Sequence, residues 1–328
     1  MTLLVLTRMK PILTFIKSLC FCNPRRIATD LFEASSRITY VETISTSADS
    51  LHKGLDDWDI AALQQVYSRL CENEIRKLHL GACKAFIDIT EEDFYGDTQS
   101  FYLVPWTGEA GVKAHFKFIV CCVKYRNRKF PVAVRMIRLG SIISKEIGEL
   151  LESCKRAGLN IKTVMLDRGF YSADNIRELT EQNMKYIIFA KKCDMFRSML
   201  KSTETSGNIE YEMESRKDKS ILRVQMNIAL VKNVREYDWV FATNTSLTGK
   251  EIVREYMLRW NIETDFRVQD EARIKTKSTR PEVRLFYFLI SCLLLFVWNA
   301  TQKFEISFKK FLITLSKTEI VKRKIFFE

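Results

Sequence analysis

Thr163-Val164-Met165-Leu166-Asp167-Arg168-Gly169-Phe170-Tyr171 is a short apolar run that ends in an aspartate and is closed by a glycine-containing turn. That length and that ending are those of a buried strand. A carboxylate at the carboxyl end of a strand stands where open α/β sheets form their ligand sites. Around this stretch the pattern alternates. A helix is expected from Ser144 to Ala157, stopped at Gly158. The strand of residues 163–166 comes next, then a helix from Ala173 to Asn183 and a strand from Tyr186 to Ala190.

Upstream, strands are expected over Ala85–Ile89, Phe116–Val123 and Val132–Leu139, the last two joined as a hairpin by the polar turn Tyr125–Lys129. An antiparallel start followed by βα units predicts a mixed sheet covered by helices. Downstream, a polar stretch, Lys201–Asn208, and strand-like runs at Ile221–Val231 and Trp239–Thr243 break the alternation and read as a β-rich insertion. A helix restarts near Thr248 and continues to about Gln269, and a final apolar helix follows Pro281. Residues 1–80 have helical character, clearest from Asp59 to Leu80, and are a candidate DNA-binding region without a helix-turn-helix signature. The boundaries expected are therefore 1–80, 81–193, 194–247 for the insertion, and 248–328.

Bulk properties narrow the function. The 328 residues carry a formal charge of +12, which favours a polyanionic partner through counterion release. Nine cysteines without CxxC pairs and three scattered histidines argue against a disulfide scaffold and against a structural zinc site, leaving oxygen-ligated metals open. Thr2–Cys22 is interrupted by Arg8, Lys10 and Lys17 and reads as an amphipathic helix. Leu285–Trp298 falls short of the ~20 residues of a membrane span and reads as a core helix, so no membrane partner is expected.

Three acidic positions carry the chemistry. Asp88, in Ala85-Phe86-Ile87-Asp88-Ile89-Thr90, puts a carboxylate inside an apolar strand, which is costly unless it is paired or binds a metal. Asp93 and Asp97 are its rivals, in an acidic, turn-like segment that reads as solvated. Asp167 is the second position. Glu263 is the third, and Tyr256, Arg259 and Glu263 fall at i, i+3 and i+7 on one helical face. Two readings of that face stand: a carboxylate that ligates metal while its neighbours grip a phosphate, or an ordinary salt-bridged surface.

Val164–Tyr171 followed by Tyr256-x-x-Arg259-x-x-x-Glu263 resembles the DDE transposases of the insertion-sequence-four type. The resemblance extends over about residues 84–300 and includes Phe241-Ala242-Thr243-Asn244 and the run Arg280–Asn299. It departs from the family where a lysine is expected, at Asp270; the nearest basic residues are Arg267, Arg273, Lys275 and Lys277.

The resemblance implies an RNase H-like catalytic domain, an α/β mixed sheet flanked by helices with a β-rich insertion before the last catalytic helix. It implies Asp88, Asp167 and Glu263 as catalytic ligands of two Mg²⁺ or Mn²⁺ ions. Tyr256, Arg259, Arg267, Arg273, Lys275 and Lys277 are then the expected DNA contacts. The implied partner is double-stranded DNA, both element ends and target, bound by a homodimer in a prokaryotic cytoplasm. Two other readings share the fold: an inactive or domesticated DNA-binding derivative, and a nuclease that cuts without joining. Trp239 is either a base-stacking residue or a core tryptophan.

Overall fold

The computed structural model describes residues 58–97, 99–106, 108, 111–202, 206–217, 220–270, 276, 278–301 and 307–312, except the side chains of 217, 260–270 and 301. Most of the N-terminal region, including Thr2–Cys22, lies outside them. Its described part is a helix, α1 (Ile60–Leu78), capped by the Asp59 carboxylate, which accepts from the Ala62 backbone N–H at 2.6 Å.

A nine-stranded mixed sheet organises the rest. β1 (Ala82–Phe94) lies between β3 (Ala114–Tyr125), antiparallel to it, and β5 (Asn160–Leu166), parallel to it. β2 (Val104–Pro105) and β4 (Arg128–Ile137) share the outer side of β3. On the other side β6 (Tyr186–Phe189) runs parallel to β5. This is the mixed order expected from the sequence. β4 would be an open edge, and α1 covers it. The buried Gln64 amide oxygen accepts the Met136 N–H at 2.7 Å, and the Tyr67 hydroxyl donates to the Pro131 carbonyl at 2.7 Å.

Helices α2 (Ile143–Arg156) and α3 (Ala173–Glu181) fill the crossovers. Both end in the same way. After α2, Gly158 takes φ +79°, its N–H bonds the Lys155 carbonyl and the Leu159 N–H bonds the Cys154 carbonyl; after α3, Asn183 (φ +55°) and Met184 repeat the pattern on Thr180 and Leu179. These left-handed stops turn each helix back towards the next strand.

Residues 194–247 extend the same sheet. A helix not expected from the sequence, α4 (Asp194–Ser202), precedes β7 (Gly207–Lys217), β8 (Ser220–Val234) and β9 (Tyr237–Thr243), and β9 pairs antiparallel with β6. β8 and β7 follow outward as antiparallel neighbours. The Phe241–Asn244 segment splices the two halves. Asn244 accepts the Tyr186 N–H and donates to the Met184 carbonyl, both at 2.9 Å, and the Thr243 hydroxyl donates to the Tyr186 carbonyl at 2.8 Å.

α5 (Gly249–Asp270) starts with a capping box: the Thr248 N–H and hydroxyl donate to the Glu251 carboxylate, and the Glu251 N–H returns to the hydroxyl. α6 (Pro281–Thr301) is long and apolar enough to cross a membrane, but 94% of its apolar window is buried inside the protein. Phe288 stacks on Phe118 at 4.1 Å and Phe296 packs edge-on to Phe130 at 5.3 Å, the contacts of a core helix.

Candidate active site

Strand alternation decides which carboxylates meet. Phe86 of β1 and Met165 of β5 belong to a core cluster with Trp239, Phe241, Ile252, Val253 and Tyr256, beneath α5. Two residues further along each strand, on the same face, stand Asp88 and Asp167. The parallel register Ile87↔Leu166 brings these two positions to neighbouring strands. The sequence separates them by 79 residues (167 − 88).

Arg259 of α5 joins them. Its guanidinium lies 3.4 Å from Asp88 Oδ2 and 3.0 Å from Asp167 Oδ2. Tyr256, one turn earlier, donates its hydroxyl to Asp167 Oδ1 at 3.4 Å. The backbone assists: the Ile89 N–H donates to Asp88 Oδ1 at 3.0 Å and the Arg168 N–H to Asp167 Oδ1 at 2.5 Å. Arg259 is buried, with 4% of its side chain exposed, whereas 42% of the Asp167 side chain is open to an incoming ligand.

These contacts set the charges. Burial works against the Asp167 carboxylate, but the Arg259 charge and the Arg168, Arg259 and Tyr256 hydrogen bonds outweigh it and hold its pKa below the ordinary value. Burial, followed by the charge of Asp167, pushes the Tyr256 phenol above its usual range, so it stays a neutral donor. Burial also opposes the charge of Arg259, yet Tyr256, Asp88 and Asp167 raise its pKa further.

Asp167 is held from below as well. It caps a 3₁₀ turn, Arg168–Phe170, and the Phe170 carbonyl accepts the buried Asn175 amide at 2.8 Å. Sequence reading missed Asn175, because an asparagine in the first turn of a helix carries no signal of its own. It also missed Lys117 and Arg138, which line a cavity of about 440 Å³ together with Asp88, Asp167, Glu91 and Gly169. Lys117 did carry a signal, since it interrupts the apolar run of β3 as Asp88 interrupts β1.

The rivals of Asp88 point elsewhere. Asp93 lies 3.2 Å from His115 Nδ1 and accepts from the Tyr95 hydroxyl, and Asp97 pairs with Lys113. Trp239 is a core residue, buried, with its indole N–H on the Val234 carbonyl at 2.9 Å. Glu263 lies on α5 one turn beyond Arg259; its side chain, like that of Arg267, is outside the described residues, and Arg273, Lys275 and Lys277 are outside them entirely.

Among the described residues no three histidine, cysteine, aspartate or glutamate side chains come together as a ligand set. Asp88 and Asp167 nevertheless fit a divalent cation. They are paired, hard oxygen donors, and they are already bridged by a positive group.

A search of curated proteins finds no match. Among solved structures the chain is similar to a piggyBac transposase in a synaptic complex with hairpin DNA, at 14% identity and a TM-score of 0.60, covering 92% of this chain and 73% of that one. That likeness is one of fold. The family model described as "Transposase DDE domain" matches residues 110–298, more than half of the chain and a span that contains Asp167, Arg259 and Glu263. On this match, and with two aspartates and the tyrosine–arginine helix face gathered at one end of an RNase H-like sheet, the chain belongs to the DDE-domain family of DNA transposases.

Proposed function

We propose that the chain cuts and joins DNA by in-line phosphoryl transfer in the cleft of Asp88 and Asp167, with Glu263 as the third carboxylate. The observation that carries this reading is the placement of the two aspartates on adjacent strands, both within reach of one guanidinium from the helix that bears Glu263. The formal charge of +12 supports a DNA partner, as does the DNA in the piggyBac complex of similar fold.

Asp88, Asp167 and Glu263 would hold two divalent cations, Mg²⁺ or Mn²⁺. When bound, such ions activate the attacking oxygen and stabilise the leaving one. Arg259 offers a planar fork suited to a phosphate, and Tyr256 keeps a donor beside it. In the first step a water oxygen attacks phosphorus, loses its proton, and the 3′-oxygen leaves and is protonated. In the second, that 3′-hydroxyl attacks a phosphorus of the target and displaces its 3′-oxygen. The chain contributes position and charge, and it needs no covalent intermediate. A homodimer would hold the two element ends.

The test is strand transfer of the element's ends with Mn²⁺. Asp88→Ala, Asp167→Ala and Glu263→Ala are each expected to abolish it, with the fold retained by circular dichroism. Undiminished joining in the Asp167 and Glu263 variants would overturn the assignment. Cutting without joining by the unaltered chain would make it a nuclease.

A further inference from the structure

Three successive residues on one face of β1 meet α5. Lys84 pairs with the Glu255 carboxylate, Phe86 lies in the apolar cluster with Ile252, Val253 and Tyr256, and Asp88 is held by Arg259. The spacing is matched, because Lys84 and Asp88 are four residues apart on the strand and Glu255 and Arg259 are four apart, one turn, on the helix. The sense is reversed: the strand offers a cation and then an anion, the helix an anion and then a cation. Arg259 and Asp88 belong to the cleft. Lys84 stands about 13 Å back along the strand, too far to serve there directly. The Lys84–Glu255 pair is sheltered, with 35% and 18% of the two side chains exposed, and among the described residues neither has another charged partner. The neighbours of Lys84 across the sheet are Lys124 on β3, a like charge, and Thr163 on β5, so no group of the sheet competes for it with Glu255.

Apolar contact alone sets this helix poorly. Ile252 and Tyr256 are themselves one turn apart, so a slide of α5 by one turn would put one apolar side chain where the other had been. The charges discriminate. A slide in one direction brings Arg259 against Lys84, and a slide in the other brings Glu255 against Asp88, like charge on like charge in both cases. We propose that Lys84 and Glu255 are positioning residues of the active site, whose ion pair, opposite in sense to Arg259–Asp88, fixes the register of α5 on β1 and so the place of Arg259 and Glu263 beside the aspartates. The proposal rests on the reading of the Asp88–Asp167 cleft as the DNA-cutting site.

The experiment measures single-turnover cutting of the element's ends with Mn²⁺ at saturating DNA, beside DNA affinity by anisotropy and melting temperature, all on the full chain. Lys84→Met and Glu255→Gln should each slow cutting by about tenfold. These two changes alter the net charge in opposite directions, so an effect through attraction of DNA would move the two rates apart, whereas a misplaced helix lowers both. Glu255→Lys repels Lys84 and is drawn to Asp88 in the slid register; it should slow cutting by about a hundredfold while DNA affinity does not fall. Lys84→Arg keeps the pair and should keep the rate. Rates unchanged in Lys84→Met and Glu255→Gln, with melting temperature alone reduced, would overturn the proposal by making the pair merely structural. Rates that rise in both Glu255 variants and fall in Lys84→Met would overturn it in favour of DNA attraction. Cutting by Asp167→Ala separates this idea from the one beneath it. Cutting that needs Asp167 but is indifferent to Lys84 and Glu255 sinks the register device alone. Cutting that persists without Asp167 sinks the cleft reading, while faster amide hydrogen exchange confined to α5 in Lys84→Met would still support the pair's hold on the helix.

Discussion

The Arg259 guanidinium contacts Asp88 at 3.4 Å and Asp167 at 3.0 Å, and so holds together two carboxylates from different strands, the pair proposed above as cation ligands. Replacing it by methionine keeps an unbranched apolar stem, removes the guanidinium, and leaves the two carboxylates without the positive group between them. A fully buried pair would cost ~3–5 kcal/mol on losing one partner; with Asp167 partly open to water the expected loss is about 2 kcal/mol. Added Mn²⁺ should then raise the melting temperature of Arg259→Met more than that of the unaltered chain, because the ion replaces the missing positive charge. Asp167→Asn in the same background should remove that extra response. Equal Mn²⁺ shifts in all three proteins would sink the idea.

Asn175 positions Asp167 without touching it. Its amide holds the Phe170 carbonyl at 2.8 Å and thereby the turn that begins at Asp167. Asn175→Ala leaves a buried carbonyl without its donor, a cost of about 1–2 kcal/mol in unfolding free energy. A shift of the carboxylate by a fraction of an ångström is expected to lower kcat by about tenfold with KM little changed. Parallel measurement of melting temperature and single-turnover cutting checks both. A loss of stability at full kcat would show that the turn does not position the aspartate.

Much of this site was legible in the sequence. The order of strands and helices followed from where apolar runs stop, and Gly158 ended α2 where a left-handed residue was needed. Asp88 could be separated from Asp93 by period two alone, since Asp88 is in step with Phe86 and Asp93 is not. What stayed hidden has physical causes. The inward face of β7 is only Ile209, Tyr211 and Met213, interleaved with Glu210, Glu212 and Glu214, too thin an apolar face for the strand to stand out in the sequence. The Arg259–Asp88 contact spans 171 residues and has no local signature.

Lys117 and Arg138 line the cleft, in a chain that has Asp270 where the family has a lysine. If they meet DNA phosphates, Lys117→Ala and Arg138→Ala should each weaken binding about equally for any duplex sequence. Each should also reduce the slope of log K against log salt by roughly one. Lys155, three turns along α2 and engaged with Gln182, is the control and should leave the slope unchanged. Titration of a fluorescent duplex at several salt concentrations reads all three. A slope that moves only for Lys155→Ala would place the DNA elsewhere.

Tyr186 opens β6; its backbone ties the two halves of the sheet, while its buried phenol lies against Thr180 of α3. Burial pushes its phenol up to about 12, and a hydrogen bond with Thr180 offsets this only in part. In the unfolded chain the group titrates near ~10. A folded pKa raised above the unfolded one means that the stabilisation is fully present below pH ~10 and is lost as pH climbs towards 12. Two pH units of difference correspond to about 2 kcal/mol after allowance for partial hydration. Tyr186→Phe has no proton to lose. Its unfolding free energy, measured by urea titration from pH 9 to 12, should therefore fall less steeply than that of the unaltered chain, and the two curves should converge towards the alkaline end. Curves that stay parallel would show that the phenol ionises without disturbing the fold, and that the packing of β6 against α3 does not depend on keeping Tyr186 neutral.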